Sequence, residues 1–149
     1  MTLLSRLIMN QTPDRHALLL FAHGSADAGW AAPFVKLQSV IRRRDPERIV
    51  ELAFLERMEP AFDAAVDALY ARGIRRITVA PIFLALGGHM RNDLPKLVGT
   101  AQQRTGIAFQ VLPALGEVDS LIAAIADWVS IAGGQNGDAN SSTGAAFRA

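Results

Sequence analysis

Residues 16–25 read HALLLFAHGS. The apolar run His16 to Ala22 is short and unbroken, without the alternation of a half-exposed strand, so it suits a strand buried on both faces. Such a strand belongs to a parallel sheet with helices on either side. Where the run stops, His23-Gly24-Ser25 places an imidazole just past the strand's carboxyl end. Gly24-Ser25 also fits a bare turn and helix cap.

Working outward, Trp30 to Arg44 repeats apolar Phe34, Val35, Leu37, Val40 and Ile41 at helical spacing, and Asp45-Pro46 stops it. Ile49 to Leu55 (IVELAFL) is a second strand that ends at Glu56. Phe62, Val66, Leu69 and Tyr70 stripe a second helix, closed by Gly73. Arg76 to Phe83 (RITVAPIF) is a third strand running into Leu86-Gly87-Gly88-His89. A third helix is expected from Asp93 or Leu94, with Pro95 in its first turn, to just before Gly106. Ile107 to Leu112 gives a fourth strand. From Glu117 to Ala132, apolar Val118, Leu121, Ile122, Ile125, Trp128 and Val129 share one side of an amphipathic helix. Four β–α alternations predict right-handed crossovers and a four-stranded parallel sheet with helices on both faces, a flavodoxin-like α/β domain over residues 16–132. Residues 1–15 are expected to be flexible. The Gly-, Asn- and Ser-rich stretch 133–149 is expected to be a disordered tail.

Bulk composition narrows the chemistry. The 149 residues carry 15 basic and 14 acidic side chains, so no overall field draws the protein to nucleic acid or anionic lipid. With no cysteine, thiolate metal sites, iron–sulfur clusters and thiol nucleophiles are excluded, leaving His, Asp, Glu and the softer Met as metal donors. Neither a secretory signal nor a membrane span is expected, which points to the cytoplasm.

In open parallel sheets, ligands bind outside the carboxyl ends of the strands. His23, Glu56 and His89 follow strands one, two and three, on one rim. Neutral imidazole suits cobalt, nickel, iron and zinc and accepts protons near neutrality, so two histidines and a carboxylate can bind a divalent ion and take up protons. They fall short of a closed structural zinc site. Blander readings stand beside this one: a histidine at a strand end is often a hydrogen-bonded turn residue, Glu56 caps a helix or pairs with Arg57, Met90 fills core, and Arg42-Arg43-Arg44 is a solvated helix end.

AHGSADAG after the first strand, ELAFLE on the second and VAPIFLALGGHMRNDLP across the third resemble the small single-domain sirohydrochlorin cobaltochelatases, over about Ala17 to Ala132. The resemblance implies a chelatase-like fold and a class II chelatase, a lyase that inserts a divalent metal into a tetrapyrrole without ATP, in cobalamin or sirohaem synthesis. It implies cobalt(II) as the metal substrate, with nickel(II) or iron(II) as alternatives, no organic cofactor, and a homodimer. Residue by residue, it places the paired metal-binding histidines at His23 and His89, with Glu56 assisting metal or proton handling. Ser25, Gly87, Gly88, Met90 and Arg91 are the expected substrate contacts, and Phe83, Leu84 and Leu86 are expected to help line an apolar cleft. The family often has a basic residue directly after His-Gly-Ser; here Ala26 and Asp27 follow, which moves the anion-binding role to Arg91, Lys96 and Arg57. A histidine phosphatase would carry Arg where Ala22 stands, and no G-x-S-x-G elbow marks a serine hydrolase. The principal rival is a metal-delivery protein with this fold and no tetrapyrrole activity.

Overall fold

Strand β1 (His16–Ala22) occupies the middle of the architecture. A computed structural model describes residues 15–138; the expected flexible segment 1–14 and the end of the tail, 139–149, lie outside the described residues. β1 pairs in parallel with β2 (Ile49–Phe54) on one side and with β3 (Arg76–Pro81) on the other, and β3 pairs with β4 (Ala108–Val111). The order is β2-β1-β3-β4. The register sets Ala22 opposite Phe54 and Phe21 opposite Pro81, so the first three strands end level with one another.

Helices fill the crossovers: α1 (Ala32–Arg44), α2 (Phe62–Ala71) and α3 (Gly88–Thr105). On one face of the sheet, Ala17, Leu19 and Phe21 of β1 pack with Ile77 and Val79 against Phe62, Val66 and Leu69 of α2 and Leu94, Val98 and Ala101 of α3. Phe21 meets Phe62 and Phe83 edge to face, at 5.3 and 5.7 Å between centroids. Leu20 and Val50 are also fully buried, so the unbroken apolar reading of β1 holds. α1 is anchored by Gln38 and Arg42, which donate to the Val50 carbonyl, and its last-turn arginines favour the carboxyl end of the helix dipole. Arg104 of α3 bridges Asp63 and Asp67 of α2.

Several boundaries differ from expectation. β2 stops at Phe54 and β3 at Pro81, each short of the apolar run's end, because the chain bends towards the rim loops there. A short 3-10 turn, Ala28–Ala31, precedes α1, with Asp27 capping it through Gly29 N. The larger correction concerns α3, which starts at Gly88 rather than at Asp93 or Leu94. Pro95 therefore lies inside the helix. It lacks the N–H that would reach the Arg91 carbonyl, yet the buried stripe Met90, Leu94, Val98 and Ala101 runs straight past it and outweighs that single lost bond. Gly106 ends the helix at φ 71°.

The last helix, α4 (Asp119–Asp138), follows a 3-10 turn at Leu115–Glu117 and runs beyond Ala132, into the stretch whose composition suggested disorder. Its apolar stripe does not pack on the sheet as an amphipathic helix would: every residue from Asp119 to Gly133 is exposed. No helix among the described residues is long and apolar enough to cross a membrane.

Candidate functional site

The chain winds from β1 to β2 in one direction and from β3 to β4 in the other, so the connections after β1 and β3 part company on opposite faces and leave a crevice at the strand ends. Open α/β sheets bind ligands at such a switch point. His23 follows β1 and His89 follows β3, the two strands that flank it.

His23 is exposed, but its backbone and ring are fixed. Strand pairing continues past the strands themselves, with Leu55 N donating to Ala22 O (2.8 Å) and Glu56 N to His23 O (3.0 Å). Gly24 makes that closeness possible. Its φ is +87°, and a Cβ there would lie 1.9 Å from the Glu56 carbonyl oxygen. The His23 ring stands edge to face on Phe83, 4.4 Å between centroids, and Phe83 is itself buried. Glu56 thus comes to the rim beside His23. Its side chain is exposed and lies 3.9 Å from Arg57, whose backbone holds a left-handed φ of 60°. A non-glycine residue adopts that conformation at a cost of about 1 kcal/mol, a turn geometry that the sequence did not signal.

His89 is exposed in the first turn of α3, not in a loop ahead of it. Among the described residues, a Cβ at Gly87 or Gly88 would meet nothing within 4 Å, so they leave that space open. Arg91 N closes the first turn on Gly87 O (3.1 Å), and the N–H groups of Gly88, His89 and Met90 precede that first helical bond at the positive end of an 18-residue helix. Among the described residues no group of three or more His, Asp and Glu side chains stands close enough to hold an ion, so Glu56 does not join both histidines in a preformed shell.

The other expected contacts divide. Ser25 accepts from Asp27 N (3.1 Å), so its hydroxyl shapes the turn on which it sits. Met90 is buried in the core, as the packing alternative had it, and Phe83 is turned inward behind His23 instead of lining a cleft. Leu84 is 62% exposed on the rim, and Leu86 is half-buried. Arg91 donates to Leu86 O (3.2 Å) and lies 3.8 Å from Glu117; Lys96 lies 3.7 Å from Asp93. These exposed pairs are weak and solvated, which leaves Arg57, Arg91 and Lys96 able to exchange partners with an anionic ligand. Sequence reading missed the turn at Leu115–Gly116, which backs the rim: both N–H groups donate to Phe83 and Leu84 carbonyls, and a Cβ on Gly116 would lie 2.1 Å from Leu84 O. Its only sequence signal is the glycine.

Fold and site together define an α/β protein with an open crevice at its strand ends and two exposed histidines on its rim. The sequence profile of the CbiX family matches residues 17–132, and the chain belongs to the CbiX family. It is 39% identical over 83 residues to a sirohydrochlorin cobaltochelatase of Methanocaldococcus jannaschii, covering 56% of this chain and 58% of that one. A Saccharolobus islandicus protein of the same name is 34% identical over 82 residues, covering 55% and 62%. The matches thus span less than two thirds of the length of these relatives. Among solved structures, a Marinobacter aquaeolei VT8 CbiX protein ascribed to cobalamin (vitamin B12) biosynthesis superimposes with a TM-score of 0.72 at 31% identity, over 80% of this chain and 98% of that one. The Bacillus subtilis sirohydrochlorin chelatase SirB in complex with cobalt shares the fold, at 22% identity and a TM-score of 0.60, over 68% of this chain and 44% of that one.

Proposed function

We propose that this protein inserts a divalent metal ion, cobalt(II) foremost, into sirohydrochlorin or a closely related tetrapyrrole without ATP, working as a cytoplasmic homodimer. The observation that carries the reading is that His23, in the connection after β1, and His89, in the first turn of the helix after β3, are both exposed beside the switch point. The names of the Methanocaldococcus and Saccharolobus relatives, and the cobalt in the SirB structure, support the choice of substrate and ion.

The chemistry matches an incomplete shell. Insertion exchanges two pyrrole N–H protons for one M2+ ion, so charge balances only if two protons find acceptors. A neutral imidazole binds the ion through one ring nitrogen lone pair. When the ion passes to the macrocycle, that lone pair is free to take a proton. Two imidazoles that give up one ion can therefore accept both protons, and Glu56, beside His23, passes them to solvent. A tightly closed site would oppose the transfer. The open space at Gly87 and Gly88 gives the macrocycle access to His89, while the first N–H groups of α3 and the Arg91, Lys96 and Arg57 side chains attract its peripheral carboxylates.

Anaerobic spectrophotometry of sirohydrochlorin with cobalt(II), nickel(II) or iron(II) tests the proposal, comparing the protein, its His23→Ala/His89→Ala double variant and no protein. Acceleration by the intact protein alone is expected, and its size with each ion ranks the metals. A protein that binds metal yet matches the uncatalysed rate with every ion would be a metal-delivery protein instead.

A further inference from the structure

The connection that carries His23 away from β1 also carries Trp30, and neither metal binding nor proton transfer accounts for that residue. Trp30 is 45% exposed, which leaves nearly half of a large aromatic side chain in water. It ends a series. Phe54, at the end of β2, is buried; Phe34 of α1 is half-buried and stands edge to face on it, 6.4 Å between centroids. Trp30 leans on Phe34 at 6.1 Å, tilted by 46°. Three rings thus lead from the core out to the rim, and the outermost has an open side.

The backbone fixes where that side lies. Ser25 Oγ accepts from Asp27 N (3.1 Å), Asp27 Oδ1 accepts from Gly29 N (2.9 Å), and Trp30 N donates to Asp27 O (3.0 Å). Residues 24–31 include no Lys or Arg, and their one acid, Asp27, is engaged in that cap. Beyond His23, what this loop offers a ligand is therefore aromatic and not ionic. The register sets Ala22 level with Phe54 and Phe21 level with Pro81, so the aromatic series stands on the β2 side of His23 and Phe83 to Gly87 on the β3 side. Neighbouring strands lie about 4.8 Å apart, so these flanks are about 10 Å from each other, a width that one flat macrocycle covers.

We propose that Trp30 is the aromatic face on which the tetrapyrrole ring lies, turning the centre of the macrocycle towards His23. The inference rests on the chelatase reading and names a substrate-binding residue for it. A tetrapyrrole of this kind is flat and conjugated in its body and carries its carboxylates at the edge. Stacking on indole needs neither charge nor hydrogen bond, so it holds the body while Arg57, Arg91 and Lys96 meet the edge. It acts alike before and after the metal enters, so it contributes to binding and not to the chemical step.

Full-length wild type, Trp30→Leu and Trp30→Phe are titrated with metal-free sirohydrochlorin, followed by the absorption of the macrocycle, and assayed for cobalt(II) insertion. Trp30→Leu keeps an apolar side chain and removes the flat ring. It is expected to raise Kd and KM about tenfold, the worth of one aromatic pair, with kcat within about two-fold of wild type. Trp30→Phe should recover most of that loss. High salt should leave the tenfold ratio unchanged, since screening acts on charges and not on stacking. Circular dichroism and melting temperature should match wild type for both variants. A Trp30→Leu protein that binds as tightly as wild type overturns the proposal, as does one whose kcat falls while its KM holds, or a phenylalanine that recovers nothing. Wild type that binds sirohydrochlorin through Trp30 yet matches the uncatalysed insertion rate sinks the chelatase reading alone and leaves the stacking role standing.

Discussion

Around His23 the backbone has no room for one more carbon, whereas the two residues before His89 have open space where their side chains would be. The first histidine is set by strand pairing, a positive-φ glycine and a buried phenylalanine. The second stands on a helix terminus whose approach is clear. A chelatase of the kind proposed needs both features: one donor that holds its direction while the ion is handed over, and one surface that a broad, flat molecule can reach. The contrast also separates two kinds of glycine. Gly24 serves the protein's own packing, while among the described residues nothing lies within 4 Å of where the side chains of Gly87 and Gly88 would begin.

The contrast can be broken by substitution. The largest loss is expected from His23→Ala with His89→Ala, which should slow insertion about 10²- to 10⁴-fold, the usual worth of positioned proton acceptors, while the melting temperature stays within about 2 °C because both side chains are exposed. Unfolding of that variant in a calorimeter would refute the rim placement. Gly24→Ala should destabilise the fold by about 2–4 kcal/mol in urea titration, since the methyl collides with the Glu56 carbonyl and the φ is unsuited to alanine. Near-wild-type stability there would mean that the tight turn is not as described. Phe83→Leu removes the ring against His23 and should cost about 1–2 kcal/mol, with kcat/KM for metal insertion falling by more than that stability loss implies. Glu56→Gln is expected to lower the rate about two- to ten-fold without changing stability; an unchanged rate would return Glu56 to its plain role beside Arg57. The smallest effect on folding belongs to Gly87→Ala, within about 0.5 kcal/mol, and its weaker sirohydrochlorin binding in fluorescence titration would show that the space is reserved for ligand.

Much of this was legible in the sequence because burial leaves a plain mark. HALLLFA suits a doubly buried strand, whose end puts His23 on the rim; Gly73 and Gly106 mark helix ends through their backbone freedom. Pro95 misled, because a proline near a helix start is a good signal only when the preceding turn has no packing of its own, and Met90 supplied that packing. Consequently the sequence pattern puts His89 in a loop, whereas it stands in the first turn of a helix. The apolar stripe of α4 is legible as a stripe, but its exposure is not, since periodicity reports which side of a helix seeks burial and not what provides it. The inward turn of Phe83 was invisible because in one dimension a core phenylalanine and a cleft-lining one look alike. Ion-pair partners such as Glu117 for Arg91 arise from tertiary folding across distant segments, beyond any local pattern.

The central position of β1 has a consequence for how the protein fails. Its Leu19, Leu20 and Phe21 are wholly buried, and the strand is laddered on both sides by β2 and β3. Amides in such a strand exchange with solvent only when the whole domain opens, later than those of edge strands or exposed helices. The segment that carries His23 is therefore the last to loosen, so fluctuations that bend α4 or fray β4 pass without disturbing the direction of that imidazole.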